Sequence, residues 1–129
     1  MSIDQQKKVV KESKQMDSNR PGYTIEEALA SVGSGWGAII NRLFDLKPPH
    51  VTVIQVKEKL GGLRFYVDGA PTEYHREILK AEDESYKTCE HCGVTDNVTL
   101  GPVGDGLWSF TLCRKCRSEL VTHEFYSSS

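Results

Sequence analysis

The sequence predicts an α+β protein: helices packed on a β-hairpin, followed by a C-terminal unit held together by four cysteines. Three observations carry that reading. Apolar residues recur at helical spacing before residue 47 and again over 71–88. Between those stretches, residues 51–69 alternate in strand fashion around Gly61-Gly62. After them come two Cys-x-x-Cys pairs, Cys89/Cys92 and Cys113/Cys116, with twenty residues between.

Residues 1–20 carry five basic and three acidic side chains and sparse apolar positions at Ile3, Val9, Val10 and Met16. They read as a flexible N-terminal arm ending at the turn signal Asn19-Arg20-Pro21-Gly22. An α+β core is expected over 21–88. In TIEEALASV, Thr24 followed by Glu27 forms a capping box, and Ala28, Leu29 and Val32 recur on one helical side. Gly33-Ser34-Gly35 interrupts, and Ser34 is expected to cap a second helix. Trp36, Ile39, Ile40, Leu43 and Phe44 make a stripe broad enough to be core. Pro48-Pro49 ends it.

The hairpin is expected to turn at Gly61-Gly62, where positive φ suits glycine. That register places Glu58 opposite Phe65 and Val56 opposite Val67. Ile54, Val56, Leu60, Leu63, Phe65 and Val67 then share the core face, with Glu58 as a polar misfit. Gln55, Lys57, Lys59, Arg64 and Tyr66 share the other. Over 71–88, Pro71 suits a first helical position. Tyr74, Ile78, Leu79, Ala81 and Tyr86 mark the inner side, and Glu73/Glu77 with Arg76/Lys80 the solvated one.

Residues 89–129 read as strand, loop, strand and a short C-terminal helix over Glu119 to Phe125. Two residues between thiols let a tight turn aim both sulfurs at one ion, so each pair supplies half a tetrahedron. The expected ligands are Cys89, Cys92, Cys113 and Cys116, and the expected cofactor is one structural zinc ion. A redox pair of the thioredoxin kind needs only one such motif. Disulfides need an oxidising compartment. A catalytic zinc keeps an open position, which four thiolates do not leave. His91 and His123 are the weaker ligand candidates.

Composition narrows function further. The chain has 129 residues, 26% charged and 38% hydrophobic, with a formal net charge of -2. Residues 71–129 carry ten acidic and six basic side chains, so the overall field does not favour phosphate backbones. No apolar run is long enough to cross a membrane, and MSIDQQKKVVKESKQ lacks a secretory h-region, so a cytoplasmic location is expected. HExxH, GxSxG and Walker patterns are absent. The GSGWG run at 33–37 precedes a helix and offers backbone N–H groups to an anion, but no Lys-Ser/Thr follows. His50 and His75 have no recognisable partners. Lys57, Lys59, Arg64 and Tyr66 form a candidate binding surface of the basic-aromatic type found at single-strand nucleic acid sites. Arg114, Lys115 and Arg117 add basic character at the second pair, diluted by Glu119 and Glu124.

The string Val56 to Tyr66, VKEKLGGLRFY, with Gly35-Trp36 upstream and Cys89 to Cys116 downstream, resembles a group of small uncharacterised zinc-ribbon-containing proteins of bacterial and phage genomes. The resemblance spans about residues 30–120. It implies this fold and a phage or mobile-element setting, and no established activity. The expected function is a non-enzymatic, zinc-stabilised interaction factor that modulates a host protein. A nucleic-acid-binding or transcription-associated zinc protein is the second reading, and an enzyme the third.

Overall fold

The computed structural model describes residues 22–127, with side chains from Gly22 to Leu120. The arm expected over 1–20, its terminal turn up to Pro21 and the side chain of His123 lie outside those residues. Among the described residues, four α-helices and two separate antiparallel hairpins make a mixed α+β fold.

Helix α1 (Ile25–Ala30) begins at the expected capping box. The Thr24 hydroxyl accepts from the Glu27 N–H at 3.1 Å, and the Glu27 carboxylate accepts from the Thr24 N–H at 2.9 Å. Two otherwise orphaned donors are thereby satisfied. A single 3₁₀ turn (Ser34–Trp36) then leads into α2 (Gly37–Leu46). Ser34 is not the cap expected of it, because its hydroxyl reaches across the molecule to the His91 carbonyl. Trp36, Ile39, Ile40 and Leu43 are buried as their spacing predicts.

Strands β1 (Thr52–Lys59) and β2 (Gly62–Asp68) form the first hairpin. Its turn is Leu60-Gly61 rather than Gly61-Gly62. Lys59 pairs with Gly62, so Glu58 faces Leu63 and Val56 faces Phe65. Leu60 and Gly61 both have positive φ, 55° and 85°, the signature of a primed hairpin turn. Leu60 therefore bears the strained position at the tip and is exposed. A bulge between Val53 and Gln55 shifts the alternation by one residue and turns Ile54 outward. Val53, Val56, Leu63 and Phe65 face the core, and Val67 is half-buried. Glu58, the misfit, folds back so that its carboxylate accepts the Gly61 N–H at 2.7 Å.

Helix α3 (Thr72–Ser85) starts one residue after Pro71, which is the N-cap. Tyr74, Ile78 and Ala81 are buried against the hairpin and α2, whereas Leu79 points to solvent. The helix also closes the outer edge of β2. Ser85 Oγ accepts from the Leu63 N–H at 2.9 Å, and Glu82 Oε2 accepts from the Phe65 N–H at 3.0 Å. Phe44 and Phe65 meet edge-to-face at 5.8 Å. The Tyr74 hydroxyl donates to the Leu43 carbonyl at 2.6 Å, satisfying a group in the last turn of α2.

Strands β3 (Val98–Pro102) and β4 (Ser109–Cys113) make the second hairpin. Leu107 and Trp108 stand exposed in the connecting loop. Helix α4 (Arg114–Ser127) begins immediately after Cys113, five residues earlier than its sequence suggests. Cys116 thus sits in the first turn of a helix.

Candidate metal centre

The four cysteines come from two local turns. In the first, the Gly93 N–H donates to the Cys89 carbonyl at 2.9 Å and the Cys89 N–H to the Val94 carbonyl at 2.8 Å. In the second, the chain passes from β4 into α4. Each turn aims an N–H at its own first sulfur: Cys92 at Cys89 Sγ, 3.5 Å, and Cys116 at Cys113 Sγ, 3.4 Å. All four sulfurs lie within 4.8 Å of one another, and Cys92 and Cys113 are 3.8 Å apart. A tetrahedron with metal–sulfur arms of about 2.3 Å has edges of about 3.8 Å. The thiols are free, not disulfide-bonded, and Cys92 alone of the four is exposed. The cluster fits one metal ion.

The electrostatics suit a cation. Burial opposes ionisation of Cys89, but backbone N–H groups from Cys113, Cys92 and His91 outweigh it and bring the thiol down to about 6. Cys116 is pushed above the ordinary thiol range, first by burial and then by the neighbouring thiols. A bound cation reverses that repulsion and deprotonates its ligands. A cleft of about 720 Å³ opens beside the cluster, with His91, Asn97 and Arg114 among its walls.

The first turn is wedged against the core by the GSGWG run. The Gly35 N–H donates to the Glu90 carbonyl at 2.8 Å, and Ser34 Oγ to the His91 carbonyl at 3.2 Å. A Cβ on Gly35 would lie 2.0 Å from the Cys89 carbonyl oxygen, so only glycine permits this approach. Trp36 Nε1 donates to the Thr88 carbonyl at 3.0 Å, one residue before Cys89. The glycines read as a possible anion loop are therefore a seat for the metal turn. On the other side, Thr111 Oγ1 donates to the Gly61 carbonyl, and Glu90 exchanges bonds with Thr111 through backbone and side chain. Nothing in a single glycine-rich string distinguishes such a long-range seat from a ligand loop.

The remaining candidates separate. Lys57, Lys59, Arg64 and Tyr66 share the outer hairpin face with Gln55, in the expected grouping. Arg114 and Lys115 are exposed in the first turn of α4. Arg117 is committed elsewhere: its guanidinium donates to Thr99 Oγ1 and to the carbonyls of Thr99, Gly101, Pro102 and Phe110. That clamp ties the second hairpin to α4 and was not legible from spacing. His91 lies outside the sulfur cluster and is exposed, and His50 is exposed. His75 lines a shallow groove with Phe65, Ile78 and Leu79. Among the described residues, no helix is long and apolar enough to cross a membrane.

No protein-family model matches the chain, no curated protein matches its sequence, and no solved structure matches its fold.

Proposed function

We propose that this chain is a non-enzymatic interaction factor whose rigidity comes from one structural zinc ion, held by Cys89, Cys92, Cys113 and Cys116. The observation that supports it is the saturation of the cluster. Four sulfurs within 4.8 Å of one another, with Cys92 and Cys113 at the 3.8 Å of a tetrahedron edge, would fill the coordination sphere and leave no position for a substrate or a reactive water, which catalytic zinc sites keep open. The metal turn is instead wedged between the GSGWG run and β4, where its ion holds two parts of the fold in register. An all-sulfur tetrahedron suits zinc or iron. Zinc is favoured as the redox-inert ion for a purely structural role, and elemental analysis with an absorption spectrum separates the two. One zinc per chain and a colourless protein are expected; stoichiometric iron would overturn the assignment.

The partner is a protein, and the phage or mobile-element setting, the host origin of that protein and the cytoplasmic location rest on the hairpin string's resemblance and the N-terminal sequence. Affinity capture by the full chain, with and without nuclease, tests this. A specific protein retained after nuclease treatment supports the reading. Complete loss of captured material on nuclease treatment supports the second reading, a nucleic-acid-binding zinc protein, which the shared face of Lys57, Lys59, Arg64 and Tyr66 favours.

A further inference from the structure

We propose that the outer face of the β1–β2 hairpin is a docking surface for an acidic segment of a partner protein. This rests on the interaction reading above and names the chemistry of the partner. Lys57 stands directly opposite Arg64 in the ladder, and Lys59 lies two residues along the same strand. Like charges directly opposite one another destabilise a sheet. Among the described residues no carboxylate forms an ion pair with any of the three. Glu84 pairs with Arg42, Glu77 with Lys80 and Asp83 with Lys87, while Glu82 accepts from the Phe65 N–H and acts on Arg64 through space without an ion pair. The two facing cations are turned onto rings instead. Lys57 sits 5.8 Å from the Tyr66 ring centre, and Arg64 sits 5.9 Å from that of Tyr86, to whose hydroxyl it also donates. The rings orient the charges without neutralising them.

Edge protection does not account for Arg64. Charged residues do blunt open sheet edges, but Arg64 belongs to β2, whose outer edge α3 already closes. The face has the spacing of a receptor. Lys57 and Lys59 are separated by about 7 Å, two residues of strand, which matches carboxylates on alternate residues of an extended segment. Arg64 uses two of its N–H groups on Leu63 and Tyr86, and a guanidinium has five, so donors remain for a carboxylate. A nucleic acid strand fits less well. It needs a bare aromatic face for stacking, whereas Lys57 covers the face of Tyr66.

The test titrates the full metal-loaded chain with three labelled probes: a short peptide with glutamate at alternate positions, its glutamine counterpart, and a thymidine oligonucleotide of equal charge. The glutamate peptide should bind best. Lys57→Glu and Arg64→Glu should each weaken it about tenfold or more, close to 1.4 kcal/mol, while Lys80→Glu on α3 leaves it unchanged. Metal content and far-UV circular dichroism verify each fold, and Lys57→Gln with Arg64→Gln replaces any reversal that fails to fold. Equal binding of the two peptides, indifference to the substitutions, or tighter binding of the oligonucleotide overturns the proposal. Affinity capture with the charge-reversed chain separates the two levels. A partner still retained by that chain rejects this face but leaves the interaction reading standing; no protein retained even by the native chain rejects the reading itself.

Discussion

The β1–β2 hairpin and the β3–β4 hairpin are both short, two-stranded and antiparallel, and they rest on different foundations. Beneath the first lie Trp36, Ile39, Ile40, Leu43, Val53, Val56, Phe65, Tyr74 and Ile78, an apolar layer shared by two helices and both strands. Beneath the second, the buried cluster is Cys89, Val103, Leu112, Cys113 and Cys116. Three of those five are cysteines of the candidate metal cluster. Ordering a backbone costs about 1–2 kcal/mol per residue, and fully burying one aliphatic side chain returns only about 1.5–3 kcal/mol. Two buried aliphatic residues, with Val98, Phe110 and Leu120 partly buried beside them, cannot offset the ordering of residues 89–120, and an ion held by the four sulfurs would there take the place of a hydrophobic core.

The sharpest way to break that comparison is to remove the ion. Chelation, or Cys113→Ser, should withdraw on the order of 10 kcal/mol of apparent binding energy. Amide NMR dispersion should collapse across 89–120 while signals from 25–86 persist. Collapse of both regions would show that the ion supports the whole fold, and no collapse would show that the second hairpin stands alone. The converse experiment is Leu43→Ala. Leu43 is fully buried, so urea denaturation should show a loss of about 3 kcal/mol, with metal stoichiometry unchanged in the folded protein. Gly35→Ala probes the seam between the two. Its methyl would collide with the Cys89 carbonyl, so competition with a chromophoric chelator should show metal affinity reduced about tenfold although no ligand is altered. The smallest effect should come from Tyr74→Phe, which strips the hydrogen bond from the Leu43 carbonyl and costs about 1 kcal/mol. Burial pushes Tyr74 up to about 12 from an ordinary 10.0. Its contribution is therefore complete below pH 10 and declines as pH rises towards 12. A stability–pH curve for the phenylalanine variant should be flatter in that window.

The elements governed by local chemistry were legible in the sequence. The Thr24/Glu27 box, the stripe from Trp36 to Leu43 and the paired cysteines depend on neighbours a few residues away, and all take the expected places. The hairpin turn falls one residue before its expected place because two adjacent glycines both tolerate positive φ, and tertiary contacts decide between them. Gly62 lies under the Tyr86 ring and Gly61 against Leu100, which leaves Leu60 to complete the turn. The bulge at Ile54 has no sequence marker, so the core face of β1 could not be assigned from alternation alone. The grouping of Lys57, Lys59, Arg64 and Tyr66 holds because all four lie beyond the bulge, and a turn displaced by one residue leaves their parity intact. The seat formed by Gly33, Ser34 and Gly35 joins positions more than fifty residues apart, and such contacts have no periodicity to reveal them.

The seam also gives the molecule two optical reporters. Its two tryptophans sit in opposite surroundings: Trp36 is wholly enclosed and bonded to Thr88 beside the first metal ligand, while Trp108 stands 74% exposed in the β3–β4 loop. Their emission should differ in colour and in access to a soluble quencher. The blue, protected component registers whether the metal turn is seated, and the red, quenchable one registers what approaches the loop. Seating of the cysteine turn and approach to the loop are thus separately visible in an unlabelled chain.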